Sequence, residues 1–280
     1  ALLNIPWITI KQEHGKHSRI AGPKTELQAA AWPNTPEVSR AVCAAVQGLF
    51  DIPCKSAPNF LSITLTPSNQ IIHPARYYAI FKDWDGKRSY SRAEVPLTLY
   101  KGFDDAAGEH LAVLDNELQQ IKWGLLERYP ELDLSLVTPI AERVVKGYGS
   151  QVRDTSSVRA VFDSNLGYEQ CKTPVEVQAD GSLKPAVKSR LFWEDMPYGL
   201  CILKNMAQLM RIPTPRIDMM LAWHQRFMGV ELLDTKTRKL NPATVGTTGA
   251  PAAYGINSLD EMVAMSLPAG ALERGMRSRL

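Results

Sequence analysis

The sequence predicts a mainly α protein, and two observations predict it. From about residue 68 onward, apolar residues recur at helical spacing in one segment after another. The first thirty residues instead alternate like strands around turn-prone stretches. The change in period near residue 58 divides the 280 residues into a small strand-rich piece and a larger helical one. At 45% apolar content, the chain can build one large core or two smaller ones.

In the first piece, "WITIKQE", the turn "HGKH" and "SRIAG" read as a hairpin that "ELQAAAW" extends. Pro33 and Pro36 bracket a turn, and "TPEVSRAVCAAVQGLF" reads as a helix. Thr35 is its natural N-cap and Pro36 suits the first helical position, with Val38, Val42, Ala45, Val46 and Leu49 as an apolar stripe. "NFLSITLTP" reads as another short strand or extended piece. "GEHLAVLDNELQQIKWGLLERY" then sets Leu111, Leu114, Leu118, Ile121 and Leu125 on one helical face over about six turns. "LSLVTPIAERVVKGYG" is a shorter helix broken by Pro139, and "MPYGLCILKNMAQLM" and "PRIDMMLAWHQRFMGVEL" are two more, separated by "RIPTP". "NPATVGTTGAPAAYG" is a loop, and "SLDEMVAMS" is a last short helix capped by Ser258.

The 32 basic and 29 acidic residues leave a net charge of +3 with no basic run, so neither nucleic acid nor a membrane surface is an expected partner. No apolar stretch approaches the roughly 18 residues needed to span a bilayer. Cys43, Cys54, Cys171 and Cys201 are scattered without a CxxC pair. No metal site is expected, and reduced thiols in a cytoplasmic protein are. The start, "ALLNIPW", has no initiator Met, is too short for a signal segment and reads as a chain entered partway through a fold.

"KGYGSQV" is not a dinucleotide loop, because Val152 stands where a third glycine is needed and the preceding segment is helical. Among the histidines, His14 and His17 belong to the polar hairpin turn, and His110 and His224 read as surface or satisfied groups on helices. His73 differs. It follows two isoleucines and precedes Pro74, with Asn69 four residues earlier. A residue before proline avoids the helical region, so His73 is expected at an element boundary. From there an imidazole can project into a cleft and exchange protons near neutral pH.

"RLFWEDMPYGL" sets Arg190, Glu194 and Asp195 among large apolar residues. In one reading Asp195 is an N-cap and Glu194 is merely exposed, which leaves Arg190 unexplained. In the other, Arg190 clamps a small carboxylate and Asp195 orients a histidine and stabilises its charged form. Arginine for carboxylate, histidine for the proton and aspartate to hold it form a constellation suited to reducing a keto acid.

These residues carry a family resemblance. The sequence resembles the octopine/nopaline (opine) dehydrogenase family along nearly its whole length. "LNIPW" is similar to the family's Leu-Pro-Trp segment, and "HGKHSRIAGPK" to the hairpin after it. "NQIIHPARYY" is similar to an Asn-x-x-x-His-Pro signature. "RLFWEDMPYGL" with "IPTPRIDMMLAW" matches Arg-x-x-x-Glu-Asp-x-Pro-x-Gly and Pro-x-x-Asp elements. "WDGK", "LYKGFDDA" and "YGINSLDEM" match less specific stretches.

The resemblance implies NAD(P)H-dependent reductive condensation of an amino acid with an α-keto acid such as pyruvate. It implies that His73 is the acid/base group, Asp195 its charge partner, Arg190 the holder of a substrate carboxylate and Asn69 a supporting polar group. Residues 1–58 would be the end of an NAD(P)-binding Rossmann-type domain and 59–280 a helical substrate domain. NAD or NADP would be bound mainly outside this chain, which alone would be inactive. Leu3 and Asn4 stand where arginine-using members carry an acidic-Thr pair, which argues against a guanidinium substrate and for a small or apolar amino acid. Two other readings are a two-domain hydroxy-acid dehydrogenase and a non-catalytic helical binding domain.

Overall fold

The computed structural model describes residues 2–267; Ala1 and residues 268–280, the last stretch of the expected helical domain, lie outside the described residues. The first two strands, β1 (Ile8–Glu13) and β2 (His17–Ala21), form the expected antiparallel hairpin, with Ile8 opposite Ala21. "ELQAAAW" does not extend it. Its strand β3 (Leu27–Ala29) pairs in parallel with β4 (Cys54–Ser56), and helix α1 (Pro36–Phe50) makes the crossover. Parallel partners need such a connection, whereas a hairpin strand does not.

Helix α1 starts as its sequence dictates: Thr35 accepts a bond from the Val38 N–H, and Pro36 fills the first helical position. Its apolar stripe is only partly used. Ser39 and Cys43 are the residues buried against the strands, while Ala45 and Leu49 face solvent, Leu49 at 74% exposure. Two three-residue strands are too narrow to cover the whole stripe.

"NFLSITLTP" forms helix α2 (Phe60–Thr64), not a strand. Asn59 caps this helix, its Oδ1 accepting from the Ser62 N–H at 2.8 Å, and is itself held by a distant partner, its Nδ2 donating to the Asp133 carbonyl. After it come α3 (Asn69–Phe81), α4 (Asp105–Arg128), α5 (Ile140–Tyr148) and α6 (Val158–Asp163). The hairpin β5–β6 (Val175–Val177, Leu183–Pro185) leads into the short α7 (Arg190–Trp193) and a π-helical turn over Met196–Leu200. Helices α8 (Cys201–Met210) and α9 (Pro215–Met228), the small hairpin β7–β8 (Leu233–Asp234, Lys239–Leu240) and α10 (Leu259–Ala264) complete the described chain. Pro139 does not break a helix but precedes α5 as its N-terminal flank, and Ser258 caps α10 in a reciprocal box with Glu261.

The mainly α class expected from the sequence is the architecture observed. The core lies around α4, whose Leu111, Leu114, Leu118, Ile121 and Leu125 are fully buried against α3, α6, α8 and α9. Each such side chain contributes roughly 1.5–3 kcal/mol by leaving water. Glu117, on the same helix, caps α9 by accepting from the Arg216 and Ile217 N–H groups at 2.7 and 2.9 Å. Among the described residues, no helix is long and apolar enough to cross a membrane.

Of the two expectations for His224, surface or satisfied, it is not at the surface: it is fully buried on α9, where Nδ1 donates to the Met220 carbonyl at 2.8 Å and Nε2 is left without a partner. Burial lowers its pKa from 6.5 to about 4. Below pH 6.5 the unfolded chain therefore takes up a proton that the folded protein refuses until about pH 4. Stability falls as pH drops through that window, by about 3 kcal/mol for this one group. Urea unfolding at pH 7 and pH 4.5 checks it, and His224→Phe should flatten this part of the dependence.

Candidate active site

His73 lies in the second turn of α3, not at an element boundary, and Pro74 follows it inside the helix. Proline removes the amide that would bond the Gln70 carbonyl. Tertiary packing outweighs that loss, since Ile71, Ile72, Ala75 and Tyr77 are all buried by neighbouring elements. His73 itself is only 3% exposed.

Asp195 reaches His73 through the π-helical turn. Its own N–H donates to the Arg190 carbonyl at 3.1 Å, and the Leu200 N–H donates to the Asp195 carbonyl at 2.9 Å, both across five residues. The carboxylate makes no bond to the helix amides beyond it, so the N-cap reading fails. Its Oδ2 instead accepts from His73 Nδ1–H at 2.7 Å. Gly199 permits this approach of turn to helix, because a Cβ there would stand 2.6 Å from Gln70 Cβ and 3.3 Å from Gln70 Cα.

With Nδ1 held by a carboxylate, the His73 lone pair is on Nε2. There the Tyr100 hydroxyl donates to it at 2.8 Å. Burial raises the Tyr100 pKa well above the ordinary phenol value, with Cys171, Tyr148 and Asp195 reinforcing it and Arg190 opposing it, so the hydroxyl stays protonated. The loop carrying Tyr100 is fixed by Arg76, one turn after His73. That guanidinium donates to the Leu99 carbonyl, the Gly102 carbonyl and Asp104 at 2.8, 2.9 and 2.8 Å. Sequence reasoning touched Tyr100 only within "LYKGFDDA"; no spacing rule ties it to a histidine 27 residues away.

Arg190 opens α7 with its side chain exposed and free of any ion pair among the described residues. Its positive charge opposes the rise in the Tyr100 pKa. Asn69 is exposed at the start of α3, one turn before His73. It lines a cavity of about 350 Å³ with Asp195, Gln70, Tyr198 and Leu3. Glu194 lines it too and is exposed. His14 and His17 are exposed in the hairpin, and His110 is half-buried against Tyr78 and hydrogen-bonded to Arg216. Among the described residues, no group of three or more His, Cys, Asp or Glu could hold a metal ion.

Such an arrangement can bind a carboxylate and move a proton: an oriented imidazole, a protonated phenol on its basic nitrogen and an unpaired guanidinium nearby. The family profile described as NAD/NADP octopine/nopaline dehydrogenase, alpha-helical domain, matches residues 56–228. An opine dehydrogenase of Haliotis discus hannai is 30% identical over 261 residues, covering 93% of this chain and 63% of that protein. A tauropine dehydrogenase of Arabella iricolor is 28% identical over 263 residues, covering 93% of this chain and 65% of the relative. A solved octopine dehydrogenase with NADH and L-arginine superposes with a TM-score of 0.77 at 26% identity, over 94% of this chain and 63% of the other. The same enzyme class with NADH and agmatine gives 0.78 at 25% identity, over 94% and 63%. The chain thus spans under two thirds of the length of these relatives.

Proposed function

The chain belongs to the NAD/NADP octopine/nopaline dehydrogenase family through its alpha-helical domain, and from that membership we propose that the protein condenses an amino acid with an α-keto acid such as pyruvate. The amine nitrogen displaces the keto oxygen as water, and a hydride with a proton reduces the resulting imine to an N-(carboxyalkyl) amino acid. We place the work in a cytoplasmic enzyme whose residues 1–58 end a dinucleotide-binding domain and whose residues 59–280 form the substrate domain.

The hydride is the contribution of NADH or NADPH. The crossover from β3 to α1 runs through Ala30, Ala31, Trp32, Pro33, Asn34 and Thr35, with no glycine to let a pyrophosphate approach the backbone. That crossover is no glycine-rich dinucleotide cradle, and the part assigned to the residues of the site is to bind, orient and transfer protons.

One observation carries this reading: the His73–Asp195 pair, with an ion-pair-free Arg190 bonded to Asp195 through the backbone. In this mechanism Arg190 binds the keto-acid carboxylate bidentately. His73 takes a proton at Nε2 from the ammonium group of the amine substrate, and the keto oxygen, displacing the Tyr100 hydroxyl there, receives that proton as it leaves as water. Asp195 stabilises the imidazolium while it carries that proton. Asn69 supports the substrate from the cavity it shares with Asp195. Mass spectrometry of a reaction containing NADH, pyruvate and an amino acid should show the secondary amine; recovery of lactate alone would exclude this reading.

A further inference from the structure

A second cavity, of about 250 Å³, adjoins the first across Leu3, which lines both. Two cations face it. Lys24 is 9% exposed; its Nζ donates to the Gly22 carbonyl at 3.0 Å and stands 3.4 Å over the Tyr148 ring. Arg143, half-buried on α5, makes only a long 3.4 Å bond to the Leu3 carbonyl, and its Nε is buried with no partner. Neither forms an ion pair among the described residues.

The rest of the lining does not neutralise them. Glu26 is there, but its carboxylate is taken by Lys55 at 2.5 Å, and the exposed Lys146 adds a further positive charge. Asn4 Oδ1 is a buried acceptor without a donor, a neutral group that weighs less than two full charges. Burial and the neighbouring Arg143 lower the Lys24 pKa to about 8. Two like charges held close in a partly dry wall cost free energy unless an anion joins them.

The position of the cavity says which anion. From His73 the ring contacts run to Tyr100, then Tyr168, then Tyr148, at centroid separations of 6.2, 4.4 and 4.9 Å, and Lys24 lies over the last. With Arg190 assigned to the keto-acid carboxylate, and with Leu3 walling the second cavity off from the one that Asp195 lines, the part of the amine substrate that extends into it is its side chain. We infer that the amine substrate bears an acidic side-chain group, a carboxylate or sulfonate, held by Lys24 and Arg143 in the cavity beyond Leu3. This rests on the condensation reaction proposed above, and it differs from the small or apolar amine expected from Leu3 and Asn4.

The test is NADH oxidation by the full natural enzyme with pyruvate and either aspartate, glutamate or cysteate, against asparagine, glutamine and alanine. The acids should exceed their amides by about tenfold or more in kcat/KM. That ratio should fall toward one in both Arg143→Gln and Lys24→Gln, with the change carried by KM for the acid. In the wild type the KM for the acid should rise above pH 8, as Lys24 loses its proton. Amides used as well as acids, or a ratio that survives both substitutions, would overturn the inference and leave the reaction standing. No oxidation with any amino acid would remove the reaction and this inference together.

Discussion

Replacing His73 with Gln should lower kcat/KM for reductive condensation by about 10²- to 10⁴-fold, the usual range for losing a general acid/base. Glutamine keeps polarity and similar volume in a position that is 3% exposed, so the loss should be chemical, not structural. His73 donates to Asp195 and accepts from Tyr100 through its two ring nitrogens, at 2.7 and 2.8 Å. An amide side chain cannot take up a proton between those partners at neutral pH. The defect should therefore sit mainly in kcat, with the KM for pyruvate, set by Arg190, changing little. Steady-state kinetics with a matched thermal unfolding curve checks this. A variant with near-normal kcat would remove His73 from the chemistry.

Asp195→Asn should cost a comparable factor, on the order of 10²- to 10⁴-fold in turnover, for a different reason. The carboxylate can only accept, which fixes the proton on Nδ1 and leaves the lone pair on Nε2. Asparagine can present its NH₂ instead, which favours the opposite tautomer and leaves no negative charge for an imidazolium. The carboxylate makes no helix-capping bond, so stability should fall little. Loss of folding in proportion to loss of turnover would instead make the residue structural.

What could be read in the sequence followed from local rules. Thr35 with Pro36, Ser258 with Glu261, and the Leu111–Leu125 stripe declare themselves within one or two turns, because capping and helical periodicity are short-range effects. Elements set by distant partners depart from what their local pattern predicts. "NFLSITLTP" alternates like a strand, yet Asn59 bonds to the Asp133 carbonyl and the segment winds into α2. His73 precedes proline, yet packing on several sides keeps it helical.

At the site, the residue types needed for keto-acid chemistry could be named from Asn69, His73, Arg190 and Asp195. The meeting of His73 with Asp195 depends on a π-helical turn and on the absence of a Cβ at Gly199, and neither follows from spacing. Tyr100, Lys24 and Arg143 lay outside any motif, since their roles come from burial and from which charges lack partners. Such properties exist only once the chain has folded.

The most direct test of the central claim is the rate of NADH oxidation by the full natural enzyme with pyruvate alone and then with added amino acids. Oxidation should be negligible with pyruvate, rise when a suitable amino acid is present, and vanish in His73→Gln. Oxidation with pyruvate alone, unchanged by any amine, would contradict the assignment and make the protein a hydroxy-acid dehydrogenase.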